Sequence, residues 1–307
     1  MLLNLLFFAV DARLARLFSR VLLLPALMGF SLAVLAQTQP AKGLLFEVKS
    51  GNKTVHLFGS IHLANADFYP LSSAVQKAYE QADTLAVEAD VTDAEASKSA
   101  LPLMRYLAPD QLQRHLSKTT WKQLHAVAGS GLEQLQEFKP AVVAMVLTLG
   151  AFAQRGYDPA FGIDLHFIER AKADKKKIVE LESIAFQAGV LGGLTDEEGD
   201  ALLKQTLEAF GNGEALRDAE NMVAMWKSGD VGGLATLFQD AANKDAGSKK
   251  LMKLLLDDRN VTMTKKIARM LAAGSKVFVV VGAGHLAGDH SIIDLLQKQG
   301  VQVRQIP

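Results

Sequence analysis

The stretch Lys276–Ala287, KVFVVVGAGHLA, decides the fold. Val277 to Val281 form an unbroken β-branched and aromatic run, the signature of a central strand covered on both faces. The run ends in Gly282-Ala283-Gly284, residues that let a chain turn sharply, and then presents His285. A second stretch, TVHLFGSIHLA over Thr54–Ala64, repeats the design. Gly59, His62, Leu63 and Ala64 stand at the same offsets as Gly282, His285, Leu286 and Ala287. Both segments leave the carboxyl end of an apolar strand, where open α/β sheets place their ligands. The echo predicts two imidazoles over one crevice.

Working outward, Leu44–Val48 and Thr54–Phe58 read as strands joined at Ser50-Gly51-Asn52-Lys53, good turn chemistry for a hairpin. Thr84–Glu88 (TLAVE) reads as a buried strand, and Lys176–Leu181 holds a short strand, Ile178–Leu181 (IVEL). Pro70–Gln81 is expected to be helical. Thr92-x-x-Glu95 and Thr195-x-x-Glu198 are capping boxes. Helical patterns run over Thr120–Ala128, from Pro140 through the apolar Ala141–Phe152, over Gly162–Ala173, and onward to Ala273. After Lys276–Val281 comes a helix to Gln299 and a strand Val301–Ile306; strand–helix–strand predicts a parallel pair with a right-handed crossover. The expected fold class is α/β, with a central mixed sheet built from both ends of the chain and a large helical insertion at about residues 92–273.

The chain has 307 residues, with Lys+Arg 33 balancing Asp+Glu 33 and 49% apolar residues. These values suit a globular protein, and the missing basic excess argues against a nucleic-acid partner. Cys is absent. That removes disulfides, thiolate nucleophiles and sulfur-ligated metals. Residues 1–36 read as an export signal: Arg13, Arg16 and Arg20 precede the apolar Val21–Leu35, and Val34-Leu35-Ala36 suits a signal peptidase. The cut is expected after Ala36, with Ala41 the alternative, leaving residues 37–307 as one periplasmic domain. A retained anchor is the competing reading, but the run is about 15 residues against the roughly 20 that span a bilayer. Contact with a membrane is expected only through an uncleaved signal.

His62, His285 and Glu88, at the end of TLAVE, make three candidate ligands for a divalent metal, with positions left open for water and substrate. Such an ion polarises a carbonyl or acidifies its water. Asp90 is an alternative to Glu88 because side chains alternate along a strand. A strand-end His taken alone is more often structural, and it is the matched pair that points to a site. His56, His115, His125 and His166 read as structural, His290 as a neighbour of the ligands, and Lys175-Lys176-Lys177 as a solvated loop.

The paired Gly-x-x-His motifs resemble the TraB/PrgY/GumN family, relatives of the TIKI metalloproteases. Val87-Glu88, Gly162-Ile163-Asp164, Leu181-Glu182 with Gln187, and Arg259-Asn260 fit the same resemblance, which covers roughly Leu44 to the C-terminus. The resemblance implies an α/β fold with a metal-dependent hydrolytic site, using manganese, cobalt or zinc, and a peptide or protein substrate. It makes His62, Glu88 and His285 metal ligands or acid–base groups. Glu182, Asp164 and Arg259 become candidates for substrate contact or support, with Glu88 or Glu182 as general base and Arg259 steadying an oxyanion. Two other readings stand beside it: a binding protein that uses the same residues for metal, haem or peptide without turnover, and an accessory factor in exopolysaccharide or envelope processes whose helical middle contacts a partner.

Overall fold

A computed structural model describes residues 40–307, so the export signal expected at residues 1–36 lies outside the described residues. The apolar runs form six strands: β1 (Leu44–Ser50), β2 (Lys53–Ser60), β3 (Thr84–Val87), β4 (Lys177–Glu180), β5 (Val277–Gly282) and β6 (Gln302–Ile306). They build one sheet in the order β4-β3-β5-β2-β1-β6. β1 and β2 are the expected antiparallel hairpin, paired from Leu44↔Gly59 to Ser50↔Lys53. β5 lies between β2 and β3, parallel to both, and every residue in it is buried. The mixed sheet made from both chain ends is as expected.

The final crossover differs from its sequence reading. β6 does not pair with β5; it runs antiparallel to β1 at the far edge, with Leu45 opposite Ile306. Strand direction is preserved, but β1 and β2 intervene. The hairpin already occupies the edge of β5 that an adjacent β6 would need. Two helix starts also move. Ser72, not Pro70, caps α1 (Ser73–Glu80), its hydroxyl accepting from the Val75 N–H. Asp93, not Thr92, caps α2 (Ala94–Met104), because Thr92 is drawn back onto Asp90. A carboxylate one residue nearer the helix thus displaces the expected capping box.

Apart from the single turn Leu132–Leu135, the remaining α-helices are α3 (Lys118–Ala128), α4 (Pro140–Gln154), α5 (Ile163–Ala173), α6 (Ile184–Gly192), α7 (Asp196–Gly211), α8 (Glu214–Ser228), α9 (Val231–Ala242), α10 (Ala246–Met252), α11 (Asp258–Ala273) and α12 (Ile292–Lys298). α4 opens at Pro140 and is buried nearly all round, as its composition predicts. Thr195 and Glu198 form the expected reciprocal cap of α7. Phe58 of β2 and Phe278 of β5 stack on one face of the sheet, against Tyr79 of α1 and Phe167 of α5. α11 packs against β1 and β2. Lys176 is not fully solvated: its ammonium lies 4.6 Å from the Tyr79 ring centroid and donates to the Tyr79 carbonyl at 3.1 Å. Among the described residues, no helix is long and apolar enough to cross a membrane.

Candidate functional site

Three parallel strands, β2, β5 and β3, release their chain at the same edge of the sheet. β2 runs into Ile61 and His62. β3 ends one residue before Glu88. β5 runs into a short 3-10 turn, Ala283–Leu286, that carries His285. Gly282 stands at the centre. A methyl group built on its Cα would lie 3.3 Å from Glu88 Oε1, 3.6 Å from His285 Cδ2 and 3.7 Å from His62 Nε2. The absent side chain leaves a hollow that all three predicted residues face.

His62 is oriented from behind. Ile163 N–H donates to the Ile61 carbonyl at 3.0 Å, and Ala64 and Asp158 exchange backbone hydrogen bonds at 3.2 and 2.7 Å. These contacts lay the start of α5 along the His62 loop. Gly162 is required there, because a Cβ would collide with the His62 carbonyl. Asp164, in the first turn of α5, then meets His62 Nδ1 at 2.7 Å through Oδ2 and accepts from Ser60 Oγ at 2.7 Å through Oδ1. Burial pushes the Asp164 carboxyl up, but the His62 imidazole outweighs this and holds it below its ordinary value. A helix N-terminus also favours the negative charge.

His285 has a neutral partner instead. Its Nδ1 lies 2.7 Å from Asn260 Oδ1, and Asn260 Nδ2 donates to the His290 carbonyl at 3.0 Å. The second bond fixes which end of the amide faces the ring, so Nδ1 carries the proton and Nε2 keeps its lone pair. Burial lowers the pKa of this imidazole to about 4, against the pull of Glu88. His285 is therefore neutral at physiological pH.

Glu88 is buried at 2% exposure, which an unpaired carboxylate would not tolerate. Oε1 accepts from Gly282 N–H at 2.6 Å and lies 3.6 Å from His285 Nε2. Oε2 accepts from Arg259 Nη2 at 2.5 Å and Gln187 Nε2 at 3.1 Å. Burial works to raise the Glu88 pKa; with His285 neutral, it is the buried Arg259 guanidinium that overcomes this and holds the carboxyl below its ordinary value. Glu182 is brought alongside because β3–β4 pairing continues past the strands, through Leu181 N–H to Val87 O at 2.8 Å and Glu182 N–H to Glu88 O at 2.7 Å. Arg259 Nε and Nη2 hold Glu182 at 2.7–3.2 Å, and Nη1 donates to the Leu255 carbonyl at 2.9 Å.

All six residues expected at the site lie around Gly282, in two bonded groups: His62 with Asp164, and Glu88 with Arg259 and Glu182, His285 Nε2 standing 3.6 Å from Glu88. Their arrangement sorts them: His62, Glu88 and His285 face the hollow, Asp164 backs His62, and Arg259 and Glu182 lie behind Glu88. Among the described residues no three His, Asp or Glu side chains close into a ready-made ion cage. Asp90 takes no part, turning to Thr92 and to Lys172 at 3.1 Å. His290 contributes its backbone carbonyl. Asn260, quoted with Arg259 for the resemblance, and Ser60 were given no role from the sequence. Asn260 adjoins Arg259 and Ser60 lies inside a Gly-x-x-His motif, so adjacency was the available signal.

The TraB/PrgY/gumN family pattern matches residues 44–305 of the chain. The chain is 30% identical to the uncharacterized protein YbaP of Escherichia coli (strain K12), over 80% of this chain and 89% of that one. It is 22% identical to an uncharacterized protein of Treponema pallidum (strain Nichols), covering 83% and 80% respectively. It is 25% identical to the metalloprotease TIKI2 of Xenopus tropicalis, over 82% of this chain and 58% of that protein. No solved structure matches it.

Proposed function

The chain belongs to the TraB/PrgY/gumN family, and from that premise we propose that it is a metal-dependent hydrolase that cuts peptide bonds, exported to the periplasm after loss of residues 1–36. The observation that supports it best is the pair of imidazoles facing the hollow over Gly282 with both Nδ1 atoms already engaged. A carboxylate or amide on the far nitrogen is how proteins orient a metal-binding histidine. The distant likeness to a metalloprotease supports the same reading.

The donor set fits a divalent ion, with manganese, cobalt and zinc the candidates. His62 and His285 would hold it, and Glu88 Oε1, already beside His285 Nε2, would complete the set and balance its charge. When bound, such an ion polarises a substrate carbonyl and acidifies water. The chain's own contributions follow from its hydrogen bonds. Asp164 and Asn260 aim the two rings. Glu88 is kept ionised by Arg259 at Oε2, which leaves Oε1 turned to His285 Nε2. Glu182, enclosed by Arg259 and Gln187, is a brace rather than a base. Arg259 is committed to the two carboxylates and the Leu255 carbonyl, so its task here is to hold Glu88 rather than meet an oxyanion.

The test is a peptide library incubated with the purified protein and manganese, cobalt or zinc salts, with and without a chelator. Cleavage is expected with metal, is abolished by chelation, and is lost in His62→Ala and His285→Ala variants of unchanged circular dichroism. Equal cleavage by the wild type and both variants would remove the reading. Export is tested by N-terminal sequencing of the protein from the envelope fraction, with Gln37 expected first.

A further inference from the structure

The mechanism makes no use of Trp226, yet this side chain reaches the site from the helical insertion. It lies near the end of α8 and is fully buried. Its ring stacks on Phe68 at 5.2 Å and meets the Phe58 ring edge-on at 6.0 Å. A buried indole needs a partner for its N–H. Here Nε1 donates at 2.7 Å to the carbonyl of Gly59, the residue that opens the His62 motif, 167 positions away in sequence.

Gly59 is also where the two imidazole loops touch. A Cβ there would lie 3.0 Å from Leu44 Cβ and 3.2 Å from Ala283 Cα, which is backbone of the His285 loop. The two motifs therefore approach at a glycine, and the indole holds that glycine's carbonyl. The end of α8 is itself clamped to the sheet's outer strands. Lys42 N–H donates to the Lys227 carbonyl at 3.0 Å, and Gln305 Nε2 donates to the Gly229 carbonyl at 2.7 Å. Gly43, at φ +63°, lies against both rings: a Cβ there would collide with Phe58 and would lie 3.2 Å from Trp226 Cζ2.

We infer that Trp226 is a positioning residue: its N–H fixes the Gly59 peptide, and through it the spacing of the His62 loop from the His285 loop. This holds whether or not the protein hydrolyses anything.

The test separates the N–H from the bulk of the ring. Benzothienylalanine has the shape of tryptophan with sulfur in place of the N–H, and it can be placed at 226 alone in a Trp121→Phe background. The readout is solvent exchange of the two hydrogen-bonded Nδ1 protons, followed by NMR with 15N-labelled histidine. Exchange at His62 is expected to rise about tenfold, the cost of one buried hydrogen bond, with His285 unchanged and the thermal transition lowered by a few degrees. Trp226→Phe should show the same selectivity with an added loss of stability. Unchanged exchange at His62 in the analogue overturns the inference. So does equal acceleration at both rings, since that is what a purely structural tryptophan would give.

Discussion

A carboxylate at Glu88 survives burial only because a guanidinium is buried with it. Removing one partner of such a group costs about 3–5 kcal/mol. Arg259→Met should therefore lower stability by about that amount at neutral pH, read as the free energy of urea unfolding. The sign of the pH dependence should also invert. In the wild type the Glu88 carboxyl is held below its ordinary 4.5, so its contribution is present above that value and is lost as pH falls through the folded value. Without Arg259, burial dominates and raises the folded value, so the variant should recover stability as it is acidified. His115 gives the opposite case. Its Nδ1 lies 2.6 Å from Asp196 and its Nε2 2.9 Å from Asp110, and only an imidazolium can donate to both. Burial lowers its pKa, but these two bonds win and raise it above 6.5. The stabilisation is complete below 6.5 and disappears as pH rises through the folded value. The melting temperature should fall over that range in the wild type and stay flat there in His115→Gln, checked by thermal scans across pH.

At the scale of elements, the two strand-to-loop transitions were legible because each combines an apolar run, a glycine and a histidine within a dozen residues. Of their partners, Asp164 came only through the family resemblance, and nothing local marks Asn260 as facing His285 or Ser60 as facing Asp164. Those pairings arise when α5 and α11 dock. The helix starts at Ser72 and Asp93 were missed because several capping residues compete within two or three positions, and tertiary contacts choose among them. Two substitutions probe the elements. Gly282→Ala places a methyl in the hollow on a backbone, φ −52°, that alanine accepts. It should cost about 1–3 kcal/mol of stability, as overpacking does, yet abolish metal-dependent turnover. Calorimetry beside the cleavage assay would separate the two effects. Thr195→Ala should cost about 1 kcal/mol with turnover unaffected, because the α7 cap lies outside the site network.

For the whole molecule, the sequence showed that both ends of the chain share a sheet but not how they interleave. Adjacency of β5 and β6 was the economical guess from a strand–helix–strand run. The β1–β2 hairpin fills that place instead, a long-range choice with no local signature. Because β6 covers the outer edge of β1, removing residues 301–307 should expose that edge. Lower urea midpoints and concentration-dependent association in light scattering are expected; a monomer of wild-type stability would contradict the placement.

The interleaved sheet has a consequence for how the protein is made. His62 leaves the ribosome before its neighbours on β5, and β5 fills the gap between β2 and β3. Until residues 277–282 emerge, the nascent chain holds β2 and β3 with nothing to join them. The order of translation therefore keeps His62 and His285 apart until the strand between β2 and β3 has been made.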